Sequence, residues 1–399
     1  MREPKNTKFI KNILLTTPIW FPAKIGGGPV ESVKKLALLY ASLGFRVFIL
    51  TTNLYAKNEK IKSKKTLFKS KKMINVIKFN IYNQKNIFMN LFSRKYIYTR
   101  EIKRFIEKNI GKFDFVCTQG PFVYITYKAI KEAVMRKIPI AYHMRGMLQK
   151  THFKKNFFLK SVYYYFIEHL NLKRSDLLVA LSENEVKTYK KLVPQKKVCL
   201  IPNIIDCEDS LLEEVPLVKS LNNSDVLLTY IGRIDPWKQI DLLLNVFQKI
   251  RASSSQKIFL AVAGHGKKAY IEKLFKNESN KKNVILLPFL NQAKKNYLLK
   301  RTKVFIYLSK GEGLSMSILE ALKLRVPVVC SDECNFDEIK RYKCGYSVKT
   351  NKDDIVKKIL LLIRNQKKYI KARDNTKKAV KQFSKAKIAY LWKKNFLLR

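Results

Sequence analysis

Short runs of continuous apolar residues recur along this chain, and amphipathic or basic stretches separate them. In the first half they are Ile13–Thr17, Val47–Thr52, Val76–Ile81, Phe113–Thr118, Ile138–His143, Leu177–Ser182 and Val198–Ile201. In the second half they are Leu227–Gly232, Ile258–Gly264, Val284–Phe289, Val304–Ser309 and Val326–Ser331. Apolar runs without alternation are the signature of strands covered on both faces. Helical patterns between them imply βαβ units, so the expected class is α/β with parallel sheets. The rhythm breaks over residues 207–225, CEDSLLEEVPLVKSLNNSD, which are locally acidic and polar. The expected organisation is therefore a Rossmann-like domain over 1–206, a linker over 207–225 and a second Rossmann-like domain over 226–380. A C-terminal helix, 381–399, is free to pack back on the first domain. No internal repeat of solenoid length interrupts this pattern.

Composition narrows the class. The chain has 399 residues, of which 47% are hydrophobic and 12% aromatic, enough for two cores and too apolar for a disordered chain. No apolar run reaches the length of a membrane-spanning helix. The opening MREPKNTKFIKNILLTT reads as a first strand and not as a cleavable leader. Six cysteines are scattered without a C-x-x-C, and the four histidines do not group with them at zinc spacing, so reduced thiols in a cytoplasmic protein and no metal site are expected. Charge is the unusual bulk property: 81 Lys+Arg against 30 Asp+Glu give a net charge of +51. The excess is densest over 56–110, with 16 Lys/Arg and 3 Glu among interleaved aromatics. Such a surface suits anionic lipid headgroups, each basic residue adding roughly 1 kcal/mol. Nucleic acid is the other partner of basic surfaces, but no helix-turn-helix, RNP-type strand or zinc-finger spacing is present, so none is expected.

Candidate chemistry clusters at strand ends. Gly26-Gly27-Gly28-Pro29 lies between the first run and a helical pattern, and its glycines allow backbone N–H groups to approach an anion at a helix start. In the second half, Leu227–Gly232 is followed by Arg233 and, five residues on, Lys238; a planar fork and a point charge both suit phosphate oxygens. Between Val304–Ser309 and Val326–Ser331 lies GEGLSMSILEALKLR, placing Glu312 in a loop and Glu320 about one turn into a helix. Carboxylates delivered to a strand end are where open α/β sheets bind ligands. Ser317 to Glu320 also reads as a capping box, in which Glu320 only ties down the helix start. His143 ends a strand and Arg145 follows it by two residues.

Taken in order, GGGP, PIAYHMRGML, LLVALSENE, IPNIID, YIGRIDPWKQIDLLLNVF, AVAGHG, VILLPFL and GEGLSMSILEALKLRVPVV resemble family-4 glycosyltransferases of the GT-B fold, especially those of bacterial surface-polysaccharide assembly. The resemblance runs from about Ile13 to Val348 and is stronger in the second half. It implies two Rossmann-like domains with parallel sheets facing across a cleft, and a retaining transfer from a UDP- or GDP-sugar to a glycan or lipid-linked acceptor. By resemblance, Arg233 and Lys238 match the pair that neutralises the donor diphosphate. Glu320 matches the ribose-binding glutamate, and Glu312 the glutamate near the transferred sugar. Backbone N–H groups at Gly313, Leu314 and Ser315 would meet sugar hydroxyls or phosphate, Gly264 and Gly266 would flank the base, and Gly27 and Gly28 would lie on the donor. An acceptor-side or sugar-side role is shared between His143 and Arg145. No D-x-D string is present, and the basic pair can do a divalent cation's work, so neither metal nor cofactor is expected. A peripheral place on the inner face of a membrane follows from the charge. A catalytically idle subunit of the same fold, or a sugar-nucleotide epimerase on it, are the alternatives. Gln239, Ile204 and Arg325 stand where relatives usually carry glycine. If those turns use positive φ, each costs on the order of 1 kcal/mol or more.

Overall fold

The structure, a computed structural model, describes residues 11–20, 27–52, 73–79, 98–149, 157–205 and 211–397. It divides into two compact units, Met1–Ile204 with Lys385–Arg399, and Ile205–Ser384. Most of the basic stretch that the sequence linked to lipid, 56–72 and 80–97, lies outside the described residues.

The first unit is built on a seven-stranded sheet of β1 (Asn12–Thr16), β2 (Arg46–Thr52), β3 (Ile74–Phe79), β4 (Phe115–Gln119), β5 (Ile140–His143), β6 (Leu177–Ala180) and β7 (Val198–Leu200). Its order is β3-β2-β1-β4-β5-β6-β7, and every pairing is parallel. Alternate residues of one strand feed two cores, as a sheet covered on both faces requires. Leu14 and Val116 join the core that holds Tyr142 and Leu178, while Ile13, Leu15, Phe115 and Cys117 join the opposite one. The C-terminal helix contributes to the second of these cores through Ile388 and Trp392, followed by Phe396. Trp392 lies edge-on to Tyr40 at 5.3 Å, and the Phe396 ring is 4.2 Å from that of Phe115. Ile388, Trp392 and Phe396 thus complete the core of the first unit.

The second unit has a six-stranded parallel sheet of β8 (Val226–Ile231), β9 (Ile258–Ala263), β10 (Val284–Leu287), β11 (Val304–Tyr307), β12 (Val328–Ser331) and β13 (Gly345–Val348), in the order β10-β9-β8-β11-β12-β13. β13 has no counterpart among the apolar runs. It is an edge strand led by a glycine, with Tyr346 and Ser347 only partly buried, so it never needed a continuous apolar sequence. The stretch read as a linker is pinned to this unit from Leu211 onward. Asn296 Nδ2 donates to Leu211 O (3.3 Å), Asn291 Nδ2 donates to Glu213 Oε2 (2.7 Å), and Lys294 pairs with Glu213 at 3.0 Å.

Two of the three positions where the resemblance implies glycine use the left-handed region: Gln239 at φ 48° and Arg325 at φ 63°. Arg325 also pairs with Asp374. Ile204 is not left-handed and is instead a buried member of the first unit's core. We expect Gln239→Gly to raise stability by about 0.5–1 kcal/mol, the relief of a strained side chain less the entropy glycine adds to the unfolded chain. A urea midpoint that stays put or falls contradicts this. The five described cysteines are all buried and none of them forms a disulfide; Cys207 lies outside the described residues.

Candidate active site

The strand order of the second unit reverses at β8, with β9 on one side and β11 on the other. The crevice beyond the carboxyl ends of the two strands at such a switch point is where open α/β sheets take ligands. From β8 the chain leaves through Gly232, Arg233 and Asp235; from β11 it leaves through Ser309, Gly311 and Glu312. Trp237 ties the two exits together. Its indole Nε1 donates to Gly311 O (3.0 Å), and its carbonyl accepts from Lys310 N (3.0 Å).

Asp235 caps a short 3-10 turn, Pro236–Lys238, by accepting from the N–H groups of Trp237 (3.0 Å) and Lys238 (3.2 Å). That cap aims the Lys238 side chain inward, where it is 7% exposed and donates to Glu312 Oε1. Ser309 Oγ donates to the same oxygen at 2.7 Å, and the lysine ammonium is 5.3 Å from the Tyr307 ring centre. The Glu312 backbone is fixed as well: its N–H donates to Glu333 O (3.1 Å), and its carbonyl accepts from Asn335 Nδ2 (2.7 Å). Arg233 differs in being 55% exposed, with Nη1 3.5 Å from Asp235 Oδ2. The result is one preorganised cation, one carboxylate locked beside it, and one half-exposed guanidinium, loosely paired with Asp235, that an incoming anion can reach.

Glu320 occupies a different setting. The helix Met316–Lys323 is capped by Ser315, whose hydroxyl accepts from Ile318 N (3.4 Å), so Ser317 lies inside the helix and the capping-box reading fails. Released from that task, the buried Glu320 pairs with Lys295 of the preceding helix Gln292–Arg301 at 2.6 Å. Gly313, Leu314 and Ser315 form the turn between Glu312 and this helix.

Gly264 and Gly266 prove to be backbone contacts. Gly232 N donates to Ala263 O (3.0 Å), Ile234 N donates to His265 O (2.8 Å), and Ile234 bridges Gly266. A methyl group on Gly264 would lie 1.8 Å from Gly232 O, and one on Gly266 would lie 2.1 Å from Ile234 O. These glycines let the β8 and β9 exits touch, which explains their identity without any ligand.

The remaining candidates belong to the first unit, where the sheet reverses at β1 and β4. Gly27, at φ 52°, opens the helix Gly27–Ser42, with no atom of the described residues within 4 Å of where a side chain would start, and Gly28 follows it. Arg145, itself left-handed at φ 52°, donates from Nε to Gln119 Oε1 (2.8 Å) and from Nη1 to Ser32 Oγ (3.0 Å) and Asn203 Oδ1 (2.9 Å). It braces the end of β4, the helix Gly27–Ser42 and the loop after β7. His143 is 2% exposed, and neither ring nitrogen has a partner among the described residues. Its ring lies 5.9 Å from that of Trp392. Burial, with the Arg145 guanidinium adding to it, holds the imidazole well below its usual pKa and therefore neutral. The cavity that His143, Arg145, Ser32, Asn203 and Trp392 border is about 10 Å³, room for one water. Behind it, burial pushes Glu185 up to about 7 although it accepts from the N–H groups of Leu181 (2.7 Å) and Gly146 (2.5 Å). Of the two residues that shared a candidate role, Arg145 is committed to bracing and His143 keeps unused nitrogens.

The sequence did not point to Asp235, Trp237, Ser309, Lys295 or Asn335. Asp235 and Trp237 stand beside Lys238 in DPWK, a visible turn signal, whereas Lys295 and Asn335 meet their glutamates only through the fold. Among the described residues no group of three or more His, Cys, Asp and Glu is arranged to hold a metal ion.

Two family models match the chain: "Glycosyltransferase Family 4" over residues 26–209 and "Glycosyl transferases group 1" over residues 214–381. An uncharacterized glycosyltransferase of Methanocaldococcus jannaschii is 27% identical over 68% of this chain and 74% of its own length. The O-antigen biosynthesis glycosyltransferase WclY of Escherichia coli is 30% identical over 42% of this chain, a match that spans 47% of WclY. Among solved structures, Anabaena HepE with UDP and glucose aligns with a TM-score of 0.72 at 13% identity, covering 98% of this chain and 100% of that one. The lipopolysaccharide glycosyltransferase WaaG aligns with a TM-score of 0.64 at 14% identity, covering 92% and 95%. At these identities the structural likeness speaks to the fold, two Rossmann-like domains of GT-B type.

Proposed function

The chain belongs to glycosyltransferase family 4, and on that premise we propose that it moves a sugar from a nucleoside-diphosphate donor to a glycan or lipid-linked acceptor in surface-polysaccharide synthesis. The observation that carries the donor side is the exposed Arg233 beside the Lys238–Glu312 pair at the switch point of the second sheet. A leaving nucleoside diphosphate gains charge as the glycosidic bond breaks, and fixed cations stabilise that charge without reorganising. In this reading Arg233 takes the diphosphate with its fork, Lys238 meets it as a point charge, and Glu312 holds Lys238 in place and faces the transferred sugar. Glu320 accepts from the ribose hydroxyls, its negative charge offset by Lys295. The turn Gly313-Leu314-Ser315 supplies backbone N–H groups. His143, held neutral and with neither ring nitrogen partnered among the described residues, is the first unit's candidate for a sugar-side or acceptor-side role.

The two cations make transfer without a metal or other cofactor the expected chemistry, with retention at the anomeric carbon. The names of the relatives support the polysaccharide setting: WclY is described as an O-antigen enzyme, and a Staphylococcus aureus relative as a poly(ribitol-phosphate) N-acetylglucosaminyltransferase. Solved neighbours captured with UDP and with UDP-glucose support a nucleotide-sugar donor. The net charge of +51 supports work against an anionic membrane that carries the acceptor.

Glu320→Ala tests the donor assignment. Loss of the charged acceptor is expected to weaken nucleoside-diphosphate binding by about 1–3 kcal/mol, read by calorimetry beside thermal unfolding. Unchanged affinity in a folded Glu320→Ala protein rejects the ribose role.

A further inference from the structure

Apart from the donor site, one surface stands out: the helix from Phe157 to Arg174, which passes through a π turn at Tyr164–Glu168. Phe158 is 76% exposed, Tyr165 73%, Phe166 65%, Leu170 40% and Val162 36%. Phe158 and Val162 lie four residues apart on the same helix face, and the exposed Tyr165 and Phe166 carry the row on into the π turn, so they form one face and not a scatter. Solvent-exposed aromatic residues in such a row mark an interaction site.

The opposite face explains why this one cannot turn inward. Tyr163 and Leu172 belong to the core of the first unit. Glu168, fully buried, accepts from Phe122 N (3.0 Å), Tyr142 Oη (2.6 Å) and Asn171 Nδ2 (3.3 Å). Rolling the helix to hide its aromatics would strip a buried carboxylate of these donors. The exposure is therefore built in.

Charge identifies the partner. From Lys150 to Arg174 the sequence carries Lys150, Lys154, Lys155, Lys160, Lys173 and Arg174 against a single acid, the buried Glu168. An aromatic stripe with Lys160, Lys173 and Arg174 on the same helix, and the exposed Asp176 just beyond it, suits a helix lying in the plane of an anionic bilayer. The cores of protein–protein interfaces, by contrast, are depleted of lysine. Among the described residues no helix is long and apolar enough to cross a membrane.

We propose that this face docks the protein on an anionic lipid surface, with Phe158, Val162, Tyr165 and Phe166 seated at the boundary between headgroups and acyl chains. The proposal rests on the membrane reading above for its partner, but places the contact on a helix and not on the basic stretch 56–110. The two contacts differ in salt response: charge alone is screened away, whereas seated aromatics persist.

The test is sedimentation of the full chain with vesicles of mixed phosphatidylglycerol and phosphatidylcholine, at low and high salt. The wild type is compared with Phe158→Ser/Tyr165→Ser/Phe166→Ser and with a variant whose lysines at 62, 64, 65, 69, 71 and 72 are changed to glutamine. These aromatics are exposed, so the first variant is expected to fold, which far-UV circular dichroism checks. Wild type should retain vesicle binding at high salt, and the aromatic variant should lose at least about tenfold in partitioning. The lysine variant should keep its high-salt binding. Wild-type-like partitioning of the aromatic variant overturns the helix as the contact and leaves the membrane reading with the basic stretch. Absence of vesicle binding by the wild type overturns both. Dimers that the aromatic substitutions dissociate, without vesicle binding, assign the face to a second copy and also overturn the proposal.

Discussion

Lys238→Met is expected to lower kcat/KM for the donor by about 10²–10³-fold, the range found when one fixed donor to a developing anion is removed. The geometry makes this residue hard to replace. Its side chain is only 7% exposed, and Asp235 sets its direction by capping the turn that carries it. The substitution also removes the ammonium beside Glu312, whose carboxylate accepts from Ser309 Oγ as well. Losing one partner of a buried ion pair costs more than replacing both. Lys238→Met is therefore expected to destabilise the second unit, and Lys238→Met/Glu312→Gln to recover that stability without recovering turnover. This separation distinguishes a cation acting on the leaving group from one that only maintains the fold. Recovery of turnover together with stability contradicts the assignment.

The second large effect concerns the fold beneath the site. Gly264→Ala and Gly266→Ala are each expected to lower stability by about 2–4 kcal/mol, because the new methyl group meets a backbone carbonyl that cannot step aside as a side chain would. Relief requires the β8 and β9 exits to separate, which breaks the Ile234–His265 and Gly232–Ala263 hydrogen bonds. Nucleoside-diphosphate affinity should fall as well, since Arg233 lies between those two bonds. Urea unfolding reads the stability, and a midpoint within error of wild type shows that the exits are more pliable than described.

Much of this architecture was legible before any coordinates. Strands buried on both faces must be apolar throughout, and twelve of the thirteen strands were visible as apolar runs, edge strands such as β10 included; β13, opened by Gly345 and carrying Ser347, was not. The separation of the chain into two α/β units followed from the break after Asp206, but not the tethering of Glu213 by Asn291 and Lys294, which depends on residues far along the chain. At the site, Arg233, Lys238 and Glu312 were candidates by residue type, and only the family resemblance gave them roles. The pairing of Lys238 with Glu312 could not be read there, nor could that of Glu320 with Lys295, since sequence spacing carries no information on which charges the fold brings together. Ser317 illustrates a local error: two serines lie within reach of the helix start, and Ser315 takes the cap because the chain is still extended there (φ −73°, ψ 120°). The replaced glycines divide in the same way, with Gln239 and Arg325 truly left-handed and Ile204 a core residue whose side chain is its purpose.

The central claim is that the second unit holds a nucleoside diphosphate through Arg233, Lys238 and Glu320. Calorimetric titration of the full chain with UDP and with GDP, repeated on Arg233→Ala/Lys238→Met/Glu320→Ala, tests it most directly. One saturable site for at least one of the two nucleotides is expected in the wild type, weakened at least about 100-fold in a triple variant that still unfolds cooperatively. Undiminished binding in that variant, or no saturable binding of either nucleotide by the wild type, contradicts the account.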